Sequence, residues 1–197
     1  MTGRGQQKRF RFWVGGLAVG VVAVLLVLGL TGGFSTNVGV SAAQAGGGVF
    51  AQLSSLETQL PNTTGPTAMR FDQIDGLSKM GFATGNPTDI VVQEDGAYLI
   101  VAAGQVGRSS GILDDYVDLW IRVNGADVAN SNTRQTIPNA AFTAVLVSQG
   151  IAVLKAGDVI QVAFSVSATG QGLGMIATIP ANEPAIPSLI LSVLKLS

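Results

Sequence analysis

The sequence predicts an all-β body, a sandwich or barrel, behind an apolar amino-terminal segment. Three observations carry the β assignment. From about Val49 onward no stretch sustains an apolar period of 3.6 residues, the spacing that lets a helix bury one face. Short alternating or wholly apolar runs recur instead, set apart by Gly, Pro, Asn and Asp. One of those breaks, Asn124-Gly125, is a strong two-residue hairpin signal, because both residues tolerate the positive φ that such a turn requires.

The segments follow in order. Residues 1–11 form a basic tail, with Arg4, Lys8, Arg9 and Arg11 and no acid. The rest of the chain holds seven basic against twelve acidic residues, so a net charge of −1 hides a basic tail on an acidic body. Residues 12–34 are expected to form a transmembrane helix. From Phe12 to Leu30 there are nineteen residues without a charge, and a helix of that length covers about 28 Å, close to the hydrocarbon core of a bilayer. Phe12 and Trp13 stand where an interfacial aromatic belt would lie, and Leu17, Val21, Leu25 and Leu28 supply the apolar body of the anchor. The positive-inside rule then puts the N-terminus in the cytoplasm and the body outside. The competing reading is a cleaved signal peptide ending near Ala45, after "AQA" at 43–45. Against it, the apolar run is longer than a usual signal core and the site lies well beyond it. Residues 35–48 are small and Gly-rich and read as a linker.

Within the body, residues 49–197, "DIVVQ" (89–93) leads through Glu-Asp-Gly into "AYLIVAAGQV" (97–106). "YVDLWIRVNGADV" (116–128) sets Leu119, Ile121 and Val123 on one face and Trp120 and Arg122 on the other. "FTAVLVSQGIAVLKAGD" (142–158) and "VIQVAFSVSA" (159–168) follow, joined by a Gly157-Asp158 turn. "SLILSVLKLS" (188–197) closes the chain. The runs 97–106 and 188–197 are apolar on both faces. A two-sheet sandwich covers only inner faces, so such strands need a second cover, which a subunit interface supplies. Tyr98, Ile100, Leu189, Leu191 and Val193 are the expected core and interface residues of these two strands.

The chain has no His and no Cys. That removes Cys/His zinc sites, thiol nucleophiles, Ser-His-Asp triads and imidazole acid–base chemistry. Asp114, Asp115 and Asp118 are the one carboxylate cluster, a candidate for Ca²⁺ with its preference for six to eight oxygens, or an acidic stretch ahead of a strand. "TGQGLGM" (169–175) lacks the helix and Lys of a phosphate loop and reads as an exposed connection. "NSNTRQT" (130–136) reads as a surface loop. Arg108 and Arg134 are candidate partner contacts, since loops on a rigid scaffold tend to carry binding.

A Gly-aromatic strand ("DGAYLIVAAGQV"), a strand into Asn-Gly ("LWIRVNGADV"), the turn and strand "LKAGDVIQV" and an apolar carboxy-terminal strand occur in that order. The set resembles the C1q/tumour-necrosis-factor superfamily over residues 49–197. With eight Phe, two Tyr and two Trp, it is more similar to bacterial and viral C1q-like domains than to vertebrate members. The resemblance implies a C1q/TNF-like jelly-roll sandwich that forms a homotrimer, with one sheet face as the seam. Some relatives bind calcium near the trimer axis. The function expected is a non-enzymatic, membrane-anchored binding or display module. Its expected partners are its own copies, the membrane and a protein or glycan ligand, and no nucleic acid. Two alternatives share the fold: a virion structural protein, such as a spike or fibre head among capsid proteins in a virion membrane, or a secreted binding protein released by cleavage near Ala45. No cofactor is expected beyond Ca²⁺ at the three aspartates.

Overall fold

A computed structural model describes residues 47–197. The expectations for residues 1–46, including the anchor residues Phe12, Trp13, Leu17, Val21, Leu25 and Leu28, lie outside the described residues.

The body is all-β, as the sequence predicts. Thirteen strands follow one another: β1 (Phe50–Ser55), β2 (Thr67–Ala68), β3 (Gln73–Ser78), β4 (Met80–Ala83), β5 (Asn86–Val92), β6 (Gly96–Gly107), β7 (Asp115–Val123), β8 (Ala126–Asp127), β9 (Thr133–Ile137), β10 (Ala144–Leu154), β11 (Val159–Val166), β12 (Gly174–Met175) and β13 (Leu189–Lys195). They form two antiparallel sheets. The first runs β10-β6-β13-β1-β3, with β12 on β6. The second runs β4-β5-β11-β7-β8, with β2 on β11 and β9 on β7. No helix occurs among the described residues, and so none long and apolar enough to cross a membrane.

Period-two alternation builds the core between the sheets. The first sheet turns Tyr98, Ile100, Ala102 and Val106 of β6 and Leu189, Leu191 and Val193 of β13 inward. The second contributes Val117, Leu119 and Ile121 of β7 and Ile160, Val162 and Phe164 of β11. Tyr98 is fully buried, and its hydroxyl donates to the Glu94 carbonyl at 2.7 Å. Burial pushes its phenol pKa up. At Gly104 the inner face has no room for a side chain, because a Cβ there would stand 2.8 Å from Met175 Sδ. β13 lies mid-sheet between β6 and β1, in register from Leu189↔Gly104 to Lys195↔Tyr98.

Two sequence readings are corrected. Residues 130–136 are not all loop, since Thr133–Ile137 form β9 and pair with β7. Only Ile137 of that strand is buried, so no apolar alternation marks it. The Gly-rich 169–175 stretch is not simply exposed either. It ends in β12, with Leu173 and Met175 buried in the core.

Side chains rather than packing tie one end of the sandwich. Gly157, at φ 97°, lets its N–H reach the Val92 carbonyl at 2.8 Å. Asp158 accepts from the Lys155 N–H at 2.8 Å and from Asn124 Nδ2 at 2.9 Å. Asn124 and Gly125 make the expected hairpin turn, with φ of 51° and 78°. The Lys155 N–H, then the Asn124 amide, hold the Asp158 carboxyl below its ordinary pKa. Hydrogen bonds from Lys79 at 2.6 Å and Lys195 at 3.1 Å do the same for Glu94.

Both shifts are downward, so both groups stabilise the fold at neutral pH. That contribution is lost as pH falls through the ordinary carboxylate range, below about pH 4, toward the depressed folded values. Denaturant unfolding at a series of pH values is expected to show stability falling on acidification. The fall should be shallower for Asp158→Asn and Glu94→Gln, and both variants should be less stable than the parent at neutral pH.

Candidate functional site

Alternation that fills the core with one set of side chains sends the other set outward. On the outer face of the first sheet that second set is largely apolar, broken by Gln52, Ser54, Gln105, Gln149 and Ser192. β10 presents Val145, Val147, Ile151 and Val153, with Ile151 64% and Val153 85% exposed. Beside them stand Leu99 and Val101 of β6, Ile190 and Leu194 of β13, and Phe50 of β1. The register aligns these residues in rows across the strands. Val147, Ala103 and Ile190 make one row, and Ile151, Leu99, Leu194 and Phe50 another. Between them runs Gln149, Val101, Ser192 and Gln52. None of these outward residues is charged. At about 4.8 Å per strand and 3.4 Å per residue, the four strands span roughly 500 Å² in projection. A face of that size stands at the upper end of the largest apolar patches on ordinary monomers, about 300–600 Å², and it shares its lack of charge with the centres of protein interfaces.

The outer face of the second sheet is different in kind. Arg134 makes a two-point pair with Asp118, both contacts at 2.8 Å, across the β9–β7 register. Its guanidinium lies 3.6 Å over the Tyr116 ring. The Asp118 hydrogen bonds raise the Arg134 pKa further. Trp120 Nε1 donates to Asp127 at 2.8 Å, and Arg122 donates to the same oxygen. These groups satisfy one another, with Asp118 and Trp120 buried against the more exposed Arg134 and Asp127.

No protein-family model matches the chain, and no curated protein matches it.

The remaining expected site residues fall as follows. Tyr98, Ile100, Leu189, Leu191 and Val193 all point into the core, and their outward neighbours form the apolar face. Arg108 is buried, with no exposed side-chain surface. It donates to the carbonyls of Ser110 at 2.5 Å, Leu113 at 2.7 Å and Ile137 at 3.3 Å, and to Gln171 Oε1. It also pairs with Asp115 at 2.9 Å. A residue so enclosed meets no partner from outside. Its place is to hold the β6–β7, β9–β10 and β11–β12 connections together. Arg134 is exposed and accessible.

The three aspartates do not converge. Asp115 faces Arg108 and accepts from Ser167 Oγ at 2.8 Å, Asp118 faces Arg134, and Asp114 is exposed. Among the described residues no group of three or more acidic side chains is placed to hold a metal ion. Melting with and without a chelator is expected to give the same Tm, since each paired carboxylate already has its cation within the chain. A large drop with chelator would place Ca²⁺ at these residues.

An open cleft of about 400 Å³ lies at the sandwich edge, lined by Phe71, Ile74, Phe82 and Pro87 with Asp72 and Asn86. Asp72 accepts from the Leu56 N–H at 2.9 Å, which occupies its carboxylate with the backbone. The outer apolar residues of β10 were available to sequence reasoning as the alternation 145, 147, 151 and 153. The sequence does not say which of two apolar faces a fold leaves uncovered.

Proposed function

We propose that the body assembles as a homotrimer through the outer face of its first sheet. The chain then serves as a non-enzymatic, membrane-held module that presents its loops to a protein or glycan partner. The observation that carries this reading is the uncharged apolar face across β10, β6, β13 and β1. A second copy of the chain suits that face because it brings an equally uncharged surface. A roughly 500 Å² projected patch, larger once side-chain relief is counted, is smaller than the about 800 Å² per partner of a standard stable interface, and in a ring each copy divides it between two neighbours.

Strand order supports the C1q/tumour-necrosis-factor-like jelly roll. The first and last long strands, β1 and β13, lie side by side in mid-sheet, and the chain passes repeatedly between the two sheets. The threefold count follows from that resemblance. The body begins beside the end of β13, where the Lys195 N–H donates to the Val49 carbonyl. The loops at the opposite end carry Ile112 and Ile179, both more than four-fifths exposed, which suits them to partner contact.

Sedimentation of the full chain in detergent tests the assembly. The parent is expected at three times the chain mass. Val147→Glu with Ile151→Glu, which puts two carboxylates into each contact, is expected as a monomer with unchanged circular dichroism. A monomeric parent, or a charged variant that keeps the parent mass, would overturn the reading.

A further inference from the structure

This inference rests on the reading of the outer face as a contact between copies, and it concerns how that contact is aligned. The apolar face is crossed at mid-height by one polar row. Gln149 on β10 stands opposite Val101, Val101 opposite Ser192, and Ser192 opposite Gln52 on β1. Apolar rows flank it on both sides. Gln149 is exposed, and Ser192 and Gln52 are half-buried. The Ser192 hydroxyl donates to Gln52 Oε1 at 2.6 Å. That bond uses the Gln52 carbonyl oxygen and leaves its two N–H donors to a partner, and Gln149 brings a carbonyl oxygen and two donors of its own.

We propose that this row sets the register and direction of the trimer contact, with Gln149 of one copy hydrogen-bonded to Gln52 and Ser192 of the next. Covering the face takes these amides out of water, and a buried amide needs partners. The flanking rows offer only the Ser54 hydroxyl, opposite Ile190, and Ser54 is buried. A slip of two residues along the strands, about 7 Å, would set Gln149 against Phe50 and Leu194 in one direction and against Ile190 and the buried Ser54 in the other. Only a contact in which row meets row satisfies every group. A single polar position inside an apolar seam fixes register and copy number in the same way in coiled coils.

The row also carries a direction. Gln149 and Gln52 are three strands apart, about 14 Å, so they cannot meet within one copy. A two-fold contact that pairs Gln149 with Gln52 does so twice between the same two copies and closes as a dimer. A head-to-tail contact sets the Gln149 end of one copy on the Gln52 end of the next, which is the kind that closes a ring.

The chain has no cysteine, so introduced thiols are the only ones present. Gln149→Cys and Gln52→Cys are made singly and together in the full chain in detergent and treated with a short bismaleimide. The double variant is expected to give covalent dimers and trimers on a denaturing gel, each single variant alone none, and a mixture of the two singles dimers only. Self-cross-linking of Gln149→Cys alone would overturn the head-to-tail row. So would a double variant that stays uncross-linked while the parent sediments as a trimer. A monomeric parent would instead overturn the self-association beneath it. As an independent readout, Gln149→Leu is expected to associate into several masses despite its added apolar surface. A single trimeric mass from that variant would contradict a register role.

Discussion

Deletion of residues 191–197 is expected to abolish folding of the body, although chain ends usually tolerate loss. The segment removes most of β13, which pairs with β6 on one side and β1 on the other. Leu191 and Val193 are buried in the core. Their burial contributes about 1.5–3 kcal/mol each. Their loss also opens a gap through the middle of the first sheet and unpairs backbone groups on two neighbours, at about 1–3 kcal/mol for each group left buried and unsatisfied. Against a typical domain stability of about 5–15 kcal/mol, nothing cooperative is expected to remain. Circular dichroism melting and limited proteolysis measure this. A truncated chain with a cooperative melt near that of the parent would contradict the placement of β13.

Arg108→Ala is expected to be the most damaging single substitution outside the apolar core, at about 3–5 kcal/mol, the usual cost of removing one partner of a buried ion pair. It leaves Asp115 with only the Ser167 hydroxyl and strips the carbonyls of Ser110, Leu113 and Ile137 of their shared donor. Arg108→Lys is expected to rescue little, because one ammonium cannot reproduce a planar fork that reaches several oxygens. Changing Arg108 and Asp115 together to apolar residues is expected to cost less than the sum of the single changes, since no charge is then stranded. Urea unfolding of the four variants gives the coupling. Additive losses would mean that the two groups do not act as a pair.

The long strands were legible because each carries its own alternation. The run 97–106 became β6, Gly96–Gly107, and 159–168 became β11, Val159–Val166. The Asn124-Gly125 turn was legible because its chemistry is local. β9 was not, because an edge strand with one buried residue has no apolar period to read. β3 escaped for a similar reason. "QIDGLS" lies at a sheet edge, and none of its six residues is fully buried.

Arg108 shows the limit most clearly. Its partners come from residues 110, 113, 115, 137 and 171. Nothing near residue 108 in sequence distinguishes a buried clamp from an exposed loop cation. Arg134 likewise gains its carboxylate only once β9 lies beside β7. The apolar face was half legible. Its residues alternate in plain view, but an outer face becomes recognisable only when the inner one has been filled.

The central claim is that the outer face of the first sheet is covered by other copies of the chain. It is tested most directly by thiol accessibility in the cysteine-free background of the full chain in detergent. Ile151→Cys and Thr136→Cys place a thiol on the outer faces of the first and second sheets, at positions that are both exposed in the single chain. The account predicts fast maleimide labelling at position 136. It predicts slow labelling at position 151 that becomes fast when Val147→Glu is added. Equal, fast labelling at both positions in the parent background would contradict it.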